Sequence, residues 1–347
     1  MASTRIAVLG AGSWGTALAG SLAAGGHRVS LWARREEVAH EITEQRQNRQ
    51  YLPGAHLPPL HASTDIESVV DGAEVWLVAV PSQSVRTVLA PLAQQAASGV
   101  TVVSVAKGIE NETLLTTSAV LRDVLPDADP DRVGVLYGPS HAEEVAEERP
   151  TSVVAAFPDL EVAASIQRLF LRPSLRVYAN TDLVGVEIGG SVKNVMAVAA
   201  GMSDGLGLGD NAKAALVTRG LAEITRLGLA MGAEAHTFAG LAGLGDLVVT
   251  CFSGHSRNRA FGERVGRGET QTEALARSTM VVEGVKTTAS TRQLAQRHGV
   301  EMPITEAVHS ILFDGLAPAD AVGQLMARDP KLEGAPVDAP GFDGTEA

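Results

Sequence analysis

Cysteine is nearly absent: Cys251 stands alone among 347 residues. That excludes an intramolecular disulfide framework and any cysteine-cluster metal site, and it fits a reducing compartment, by default the cytoplasm. With no activating histidine at a defined spacing, Cys251 reads as a small buried residue rather than a nucleophile. Lysine is scarce as well. Of 28 basic residues only Lys107, Lys193, Lys213, Lys286 and Lys331 are lysines, so arginine is the default cation of this chain. The nine histidines are scattered without an H-E-x-x-H pattern, and no metal is expected. No internal repeat is present, and no uncharged apolar run approaches the ~18 residues of a membrane span. The first residues lead directly into Ile6-Ala-Val-Leu, which is expected to be a strand rather than a signal core. A net charge of −12 argues against a nucleic-acid or acidic-membrane binder, while a local basic cleft can still hold a small phosphorylated anion.

The length suffices for two domains, and 45% hydrophobic with 20% charged residues is ordinary for a globular protein. Arg5 to Leu9 reads as a strand, Gly10-Ala-Gly-Ser-Trp-Gly15 as a turn, and the following alanine-rich run as a helix. In that order Gly10 permits the tight turn, Gly12 lets a pyrophosphate approach the backbone, and Gly15 allows close helix packing, with the helix N-terminus facing the phosphates. After the second strand, Arg28 to Trp32, a site specific for NAD would offer an acid to the adenosine ribose. Ala33-Arg34-Arg35 stands there instead, which suits a 2′-phosphate and NADPH, with NADH as a second cofactor. Alternatively, the two arginines cap the next helix or face solvent. Further strands are expected at Glu74 to Val80, Val100 to Ala106, Arg132 to Tyr137, Ser152 to Phe157 and Leu175 to Ala179, with helices near 83 to 96, 113 to 125 and Leu160 to Phe170.

This is the repeat of an α/β Rossmann-type, doubly wound parallel sheet. Ligands bind beyond the carboxyl ends of such strands, where Val80-Pro-Ser82, Lys107-Gly108 and Gly138-Pro-Ser140-His141-Ala142 fall. Lys107 is placed to meet a phosphate or a substrate oxygen; His141 reads more simply as a histidine packed at a helix start. From Asp182 to about Arg328 no strand alternation is found and alanine-rich helical segments take over. The expected division is therefore a cofactor domain over 1–181, an all-α domain over 182–330, and a disordered tail over 331–347 with two prolines and three glycines.

Within the helical half, Lys193 and Asn194 lie in an apolar, small-residue helix. A buried ammonium is costly unless paired and its pKa moves readily toward neutrality, as a general acid or base requires. The alternative is a lysine whose stem packs on the core while its head reaches solvent. Asp246 follows a glycine turn and leads an apolar segment, so its carboxylate needs a partner, for which Lys193 is the obvious candidate. Ser256, Arg257 and Asn258 bring a hydroxyl, a guanidinium fork and an amide within three positions, suited to phosphate and hydroxyl recognition; a solvated loop is the competing reading.

Gly10-Ala-Gly-Ser-Trp-Gly, Tyr51-Leu-Pro-Gly, Lys107-Gly, Gly138-Pro-Ser, Glu187-Ile-Gly-Gly-Ser-Val-Lys-Asn-Val, Thr218-Arg-Gly-Leu, Thr237-Phe-Ala-Gly-Leu-Ala-Gly-Leu-Gly-Asp-Leu, Ser256-Arg-Asn-Arg and Glu283-Gly occur in this order. Together they resemble the bacterial-type NAD(P)-dependent glycerol-3-phosphate dehydrogenases from Ile6 to roughly Leu325. The resemblance implies that Ser13, Trp14, Arg34, Arg35, Lys107, Ala142, Arg257, Val281 and Glu283 face NADPH. It implies that Lys107, Gly138, Ser140, Lys193, Asn194, Asp246, Thr250, Ser256, Arg257 and Asn258 face dihydroxyacetone phosphate or sn-glycerol 3-phosphate. Lys193 matches the family's proton acceptor. At His141 many relatives carry an aromatic residue. The alanine-rich helices of the second half suit a homodimer. The enzyme alternative is a β-hydroxyacid or 6-phosphogluconate type dehydrogenase, whose substrate carboxylate would need its own receptor. A nucleotide-sensing binding protein would keep the glycine loop but has no need of Lys193 with Asp246.

Overall fold

The computed structural model of the protein describes residues 3–96, 99–278 and 280–329; the tail expected to be disordered lies outside them. One eight-stranded sheet forms the first half, with β1 at Arg5–Leu9, β2 at Arg28–Trp32, β3 at His61–Ser63, β4 at Val75–Val78, β5 at Thr101–Ser104, β6 at Val133–Tyr137, β7 at Thr151–Ala156 and β8 at Leu175–Asn180. Its order is β3-β2-β1-β4-β5-β6-β7-β8, so the chain runs outward from β1 on one side, then crosses to β4. The doubly wound sheet is as expected, and ligand crevices open at such a switch point. Every residue of β4, β5 and β6 is buried, because helices cover both faces. Along β1, Ile6 and Val8 pack with Leu18, Leu22 and Ile166 on one face, while Ala7 and Leu9 pack with Val85, Leu89 and Leu121 on the other.

Two details depart from the expectation. β3 is a three-residue edge strand, too short to show alternation in the sequence. β7 runs antiparallel to β6: only a loop and the short helix Ala142–Ala146 join them, so the chain re-enters the sheet from the end it left, without a crossover helix long enough to return it.

After β8 no strand occurs among the described residues. The helix Leu183–Gly205 forms the axis of the second half and is buried along nearly its whole length, packed by the helices Gly209–Ala230, Asp246–Phe252, Arg257–Gly266, Glu283–Arg297 and Pro303–Phe313. A helix covered on every side needs no polar face. The stretches 183–205 and 235–252 have the length and mean hydropathy, 1.3, of a membrane span, but the first is 94% buried inside the fold and carries the charged residues Glu187 and Lys193.

The closest helix contact is a glycine seam. A methyl group on Gly201 would lie 2.0 Å from the Arg259 carbonyl oxygen, and one on Gly262 would lie 2.0 Å from that of Val198. Backbone meets backbone here, so no flexible side chain can yield. We expect Gly262→Ala to force the two helices apart and to lower stability by about 1–3 kcal/mol, as overpacking does. It should also displace Arg257 and Asn258, which begin that helix. Thermal melts followed by circular dichroism check this, and a variant with the wild-type melting temperature would show that the seam can open freely.

Candidate active site

The glycine turn closes because Gly10 adopts φ +123° and any Cβ there would lie 2.8 Å from the Ala79 backbone. At Gly15 a Cβ would meet the Gly10 carbonyl oxygen at 2.0 Å, whereas at Gly12 nothing lies within 4 Å. That open space adjoins the start of the helix Ser13–Ala24, which has no side-chain cap and no acid in its first turn. Its free N–H groups and positive dipole end suit a pyrophosphate. The Trp14 indole N–H is buried there without a partner.

One residue that sequence reasoning missed holds this loop. Asn48 is buried, and its amide donates to the Ala11 carbonyl at 3.0 Å and to Thr16 Oγ1 at 2.8 Å. It sits in a polar run that gives no signal of a buried anchor. Beyond β2, Arg34 is exposed with no hydrogen bond or ion pair among the described residues, while Arg35 bonds Gln50, stacks 5.6 Å from the Tyr51 ring centre and pairs with Glu37 at 3.3 Å. Both stand at the outer end of the crevice, away from the buried lysines.

Those lysines converge on one carboxylate. Lys107, just past β5, donates to Asp246 Oδ2 at 2.7 Å and to the Gly138 carbonyl at 2.9 Å. Lys193, from the central helix, donates to Asp246 Oδ1 and, at 2.7 Å, to Thr250 Oγ1. Asp246 is fully buried. Burial is the main cause that lowers the Lys193 pKa, to about 7; Asp246 opposes it and the Lys107 ammonium adds to it. Thus Lys193 does not reach solvent, and the expected partner is the real one. Cys251 is buried nearby and its thiol is pushed up to about 12 by burial, which leaves it inert.

The remaining candidates surround this cluster unevenly. Asn258 donates to Asn194 Oδ1 at 2.9 Å and accepts from the Gly284 N–H at 2.9 Å, so the two amides tie three helices together. Ser256 is buried and caps its helix through the Arg259 N–H. Ser140 turns its hydroxyl onto the Gly138 carbonyl at 2.9 Å, and Ala142 is buried at the start of a short helix. Arg257 is exposed and donates to the carbonyl of Val281, itself exposed, at 3.0 Å.

The halves also touch over the cofactor cradle. Glu283 accepts from Ser82 N–H at 3.2 Å and Ser82 Oγ at 2.7 Å, and Ser13 Oγ lies 3.8 Å from Met280 Sδ. Beneath, Glu187 accepts from Thr116, Thr117 and Ser118, including the Ser118 N–H at 2.8 Å. Thr117 meets the Tyr137 hydroxyl at 2.9 Å, and that hydroxyl reaches the Ala106 carbonyl beside Lys107. Tyr137 reads in the sequence only as a strand residue. A separate cavity of about 380 Å³, lined by Met302, Glu306, Leu325 and Arg328 among others, contains none of these residues.

A dinucleotide cradle on a doubly wound sheet, facing a helical half that carries a lysine–carboxylate cluster, defines a dinucleotide-dependent oxidoreductase. The model of the NAD-dependent glycerol-3-phosphate dehydrogenase N-terminus matches residues 5–163, and that of the C-terminus matches 182–323. Among curated relatives, glycerol-3-phosphate dehydrogenase [NAD(P)+] 2 of Salinibacter ruber is 56% identical, covering 95% of this chain and 96% of its own. Glycerol-3-phosphate dehydrogenase [NAD(P)+] of Chlorobium phaeobacteroides is 51% identical, covering 95% and 99%. The crystal structure of glycerol-3-phosphate dehydrogenase from Coxiella burnetii superimposes with a TM-score of 0.89 at 39% identity, over 94% of this chain and 99% of that one. The chain belongs to the NAD(P)-dependent glycerol-3-phosphate dehydrogenase family.

Asn48→Ala should leave the Ala11 carbonyl and Thr16 hydroxyl unpaired in the core, at a cost of about 1–3 kcal/mol, and should loosen dinucleotide binding. Urea melts and cofactor titration by tryptophan fluorescence measure both. Unchanged cofactor affinity would separate Asn48 from the cradle.

Proposed function

We propose that the protein reduces dihydroxyacetone phosphate to sn-glycerol 3-phosphate, reversibly, and so supplies the backbone of glycerophospholipids. The observation that carries this is the buried Lys193 bonded to Asp246, with its pKa near the working pH, in a chain of this family. Gly10, Gly12, Gly15, Ser13 and Trp14 would hold the pyrophosphate side of the cofactor and Arg34 with Arg35 its 2′-phosphate, while Ala142, Val281 and Glu283 would border its reactive end. When bound there, the reduced cofactor would supply the hydride that the C2 carbonyl carbon accepts. Lys193 donates a proton from Nζ to the carbonyl oxygen as negative charge grows there, and takes it back in the oxidative direction. Asp246 and Thr250 hold the Lys193 ammonium in place. Lys107 stabilises the developing oxyanion or grips the phosphate. Gly138, Ser140, Asn194, Ser256, Arg257 and Asn258 complete the substrate contacts, with Arg257 serving both phosphate and cofactor.

The division into a cofactor half up to residue 181 and a substrate half from 182 belongs to the same reading. So do a cytoplasmic location, from the reducing-compartment signature of a single cysteine, and a homodimer built through the helical half. Family membership favours this substrate over that of a β-hydroxyacid or 6-phosphogluconate type enzyme. NADPH oxidation with dihydroxyacetone phosphate as the varied substrate tests it directly; absence of turnover at high enzyme concentration would overturn it.

Three variants assign roles. Lys193→Arg keeps the charge but cannot titrate, and should fold, bind NADPH and lose turnover by at least ~100-fold. In the wild type, reduction needs protonated Lys193, so its kcat should fall as pH rises through about 7, while oxidation should gain over the same window. Wild-type turnover in Lys193→Arg would pass the role to Lys107 or water. Replacing Arg34 and Arg35 by alanine should raise the KM for NADPH far more than that for NADH, and equal effects would remove them from 2′-phosphate recognition. Arg257→Lys should be strongly impaired, since a point charge cannot reproduce a two-pronged contact; near-normal kinetics would return it to ordinary surface.

A further inference from the structure

His141, between β6 and β7, and His255, in the loop after the helix Asp246–Phe252, face each other from opposite halves of the molecule. Their ring centres lie 5.5 Å apart at an interplanar angle of 48°. Among the described residues, His141 Nε2 is buried and has no hydrogen-bond partner, and the His255 ring makes no hydrogen bond. A buried ring nitrogen left unpaired is costly and calls for a partner. Its surroundings are mixed in charge: Lys193 and His255 act on the His141 imidazole from the helical half, Glu143 and Glu144 from its own helix. Its proximity to Lys193 places the pair over the reacting end of the crevice rather than at the cofactor's outer end.

The cations already described are largely engaged. Lys107 and Lys193 share Asp246, and Arg257 spends one N–H on the Val281 carbonyl. Arg257 keeps its remaining N–H groups for the phosphate, and a dianion held there can take further donors that the protein itself leaves unpaired. We propose that His141 and His255 form a two-imidazole clamp that binds the phosphate monoester of the substrate across the crevice mouth. A tetrahedral phosphate seated against the edges of both rings, to one side of the pair, can accept one N–H···O bond of ~2.8 Å from each at this separation. Burial lowers the His141 pKa, so in the free protein it is a neutral single donor; an arriving dianion favours the imidazolium. Binding thus takes up a proton and strengthens as pH falls.

This clamp rests on the phosphorylated ketone assigned above, and the test separates the two. NADPH oxidation is measured with dihydroxyacetone phosphate and with unphosphorylated dihydroxyacetone, at pH 6.5 and 8, for wild type, H141F, H141N, H255N and the double variant H141F/H255N. Phenylalanine keeps the ring shape and removes both nitrogens; asparagine keeps a donor that does not titrate. H141F should lower the kcat/KM ratio of phosphorylated to unphosphorylated ketone by about ten-fold or more, the scale of one charge-assisted hydrogen bond. H141N should keep part of that ratio but lose its increase toward pH 6.5. H255N, at an exposed position whose replacement leaves the core untouched, should lower it in the same sense, and the double variant should lose less than the product of the single effects. Losses equal on both ketones, or an unchanged ratio in H255N, would overturn the clamp. If wild type does not turn over dihydroxyacetone phosphate, the substrate assignment fails instead.

Discussion

A single buried carboxylate carries two ammonium groups that arrive from different halves of the chain. Asp246 would be prohibitively costly to bury as an unpaired ion, and so would Lys193. Lys107 comes from the end of a sheet strand and Lys193 from the axis of the helical half, so satisfying Asp246 obliges the two halves to meet at this point. The surrounding polar contacts follow from that requirement. Thr250 shares the Lys193 ammonium, the Gly138 carbonyl shares that of Lys107, and Glu187 with Tyr137 braces the strand end from which Lys107 projects. Burial, with the Lys107 ammonium adding to it and Asp246 opposing, is also why the Lys193 pKa falls to about 7.

Much of this was legible in the sequence because each part obeys a local rule. The β1 and β2 boundaries and the helix Leu160–Phe170 coincide with apolar runs ending in glycine or polar signals, and the glycine turn announces itself by order. Lys193 stood out against an arginine-rich background, and an apolar helix gave its burial away. The pairing with Asp246 came from elementary electrostatics, since a carboxylate leading an apolar segment must find a cation.

What escaped lies in tertiary geometry that no local pattern encodes. Asn48 belongs to a run of polar residues that look solvated, yet the chain folds it under the glycine turn. Tyr137 reads as one more buried strand residue until its hydroxyl is seen between Thr117 and Ala106. Ser256, singled out for the substrate, also accepts the Arg259 N–H as a helix cap, a second role that its place in a polar run does not announce. The reversal of β7 depends on a connection too short to turn the chain around, and the sequence shows its length but not the direction it takes.

The glycine seam between the helices Leu183–Gly205 and Arg257–Gly266 has a consequence for how this site can change. Because the two backbones touch, the helix that presents Arg257 and Asn258 cannot be translated outward to admit a bulkier substrate without breaking the core beneath it. The walls of the pocket that rest on these helices are therefore fixed in position, and new specificity can enter only through side chains on the two loops that face each other above them, at 138–142 and 253–256. Directed evolution of this enzyme toward other ketones should find its productive substitutions concentrated in those nine positions.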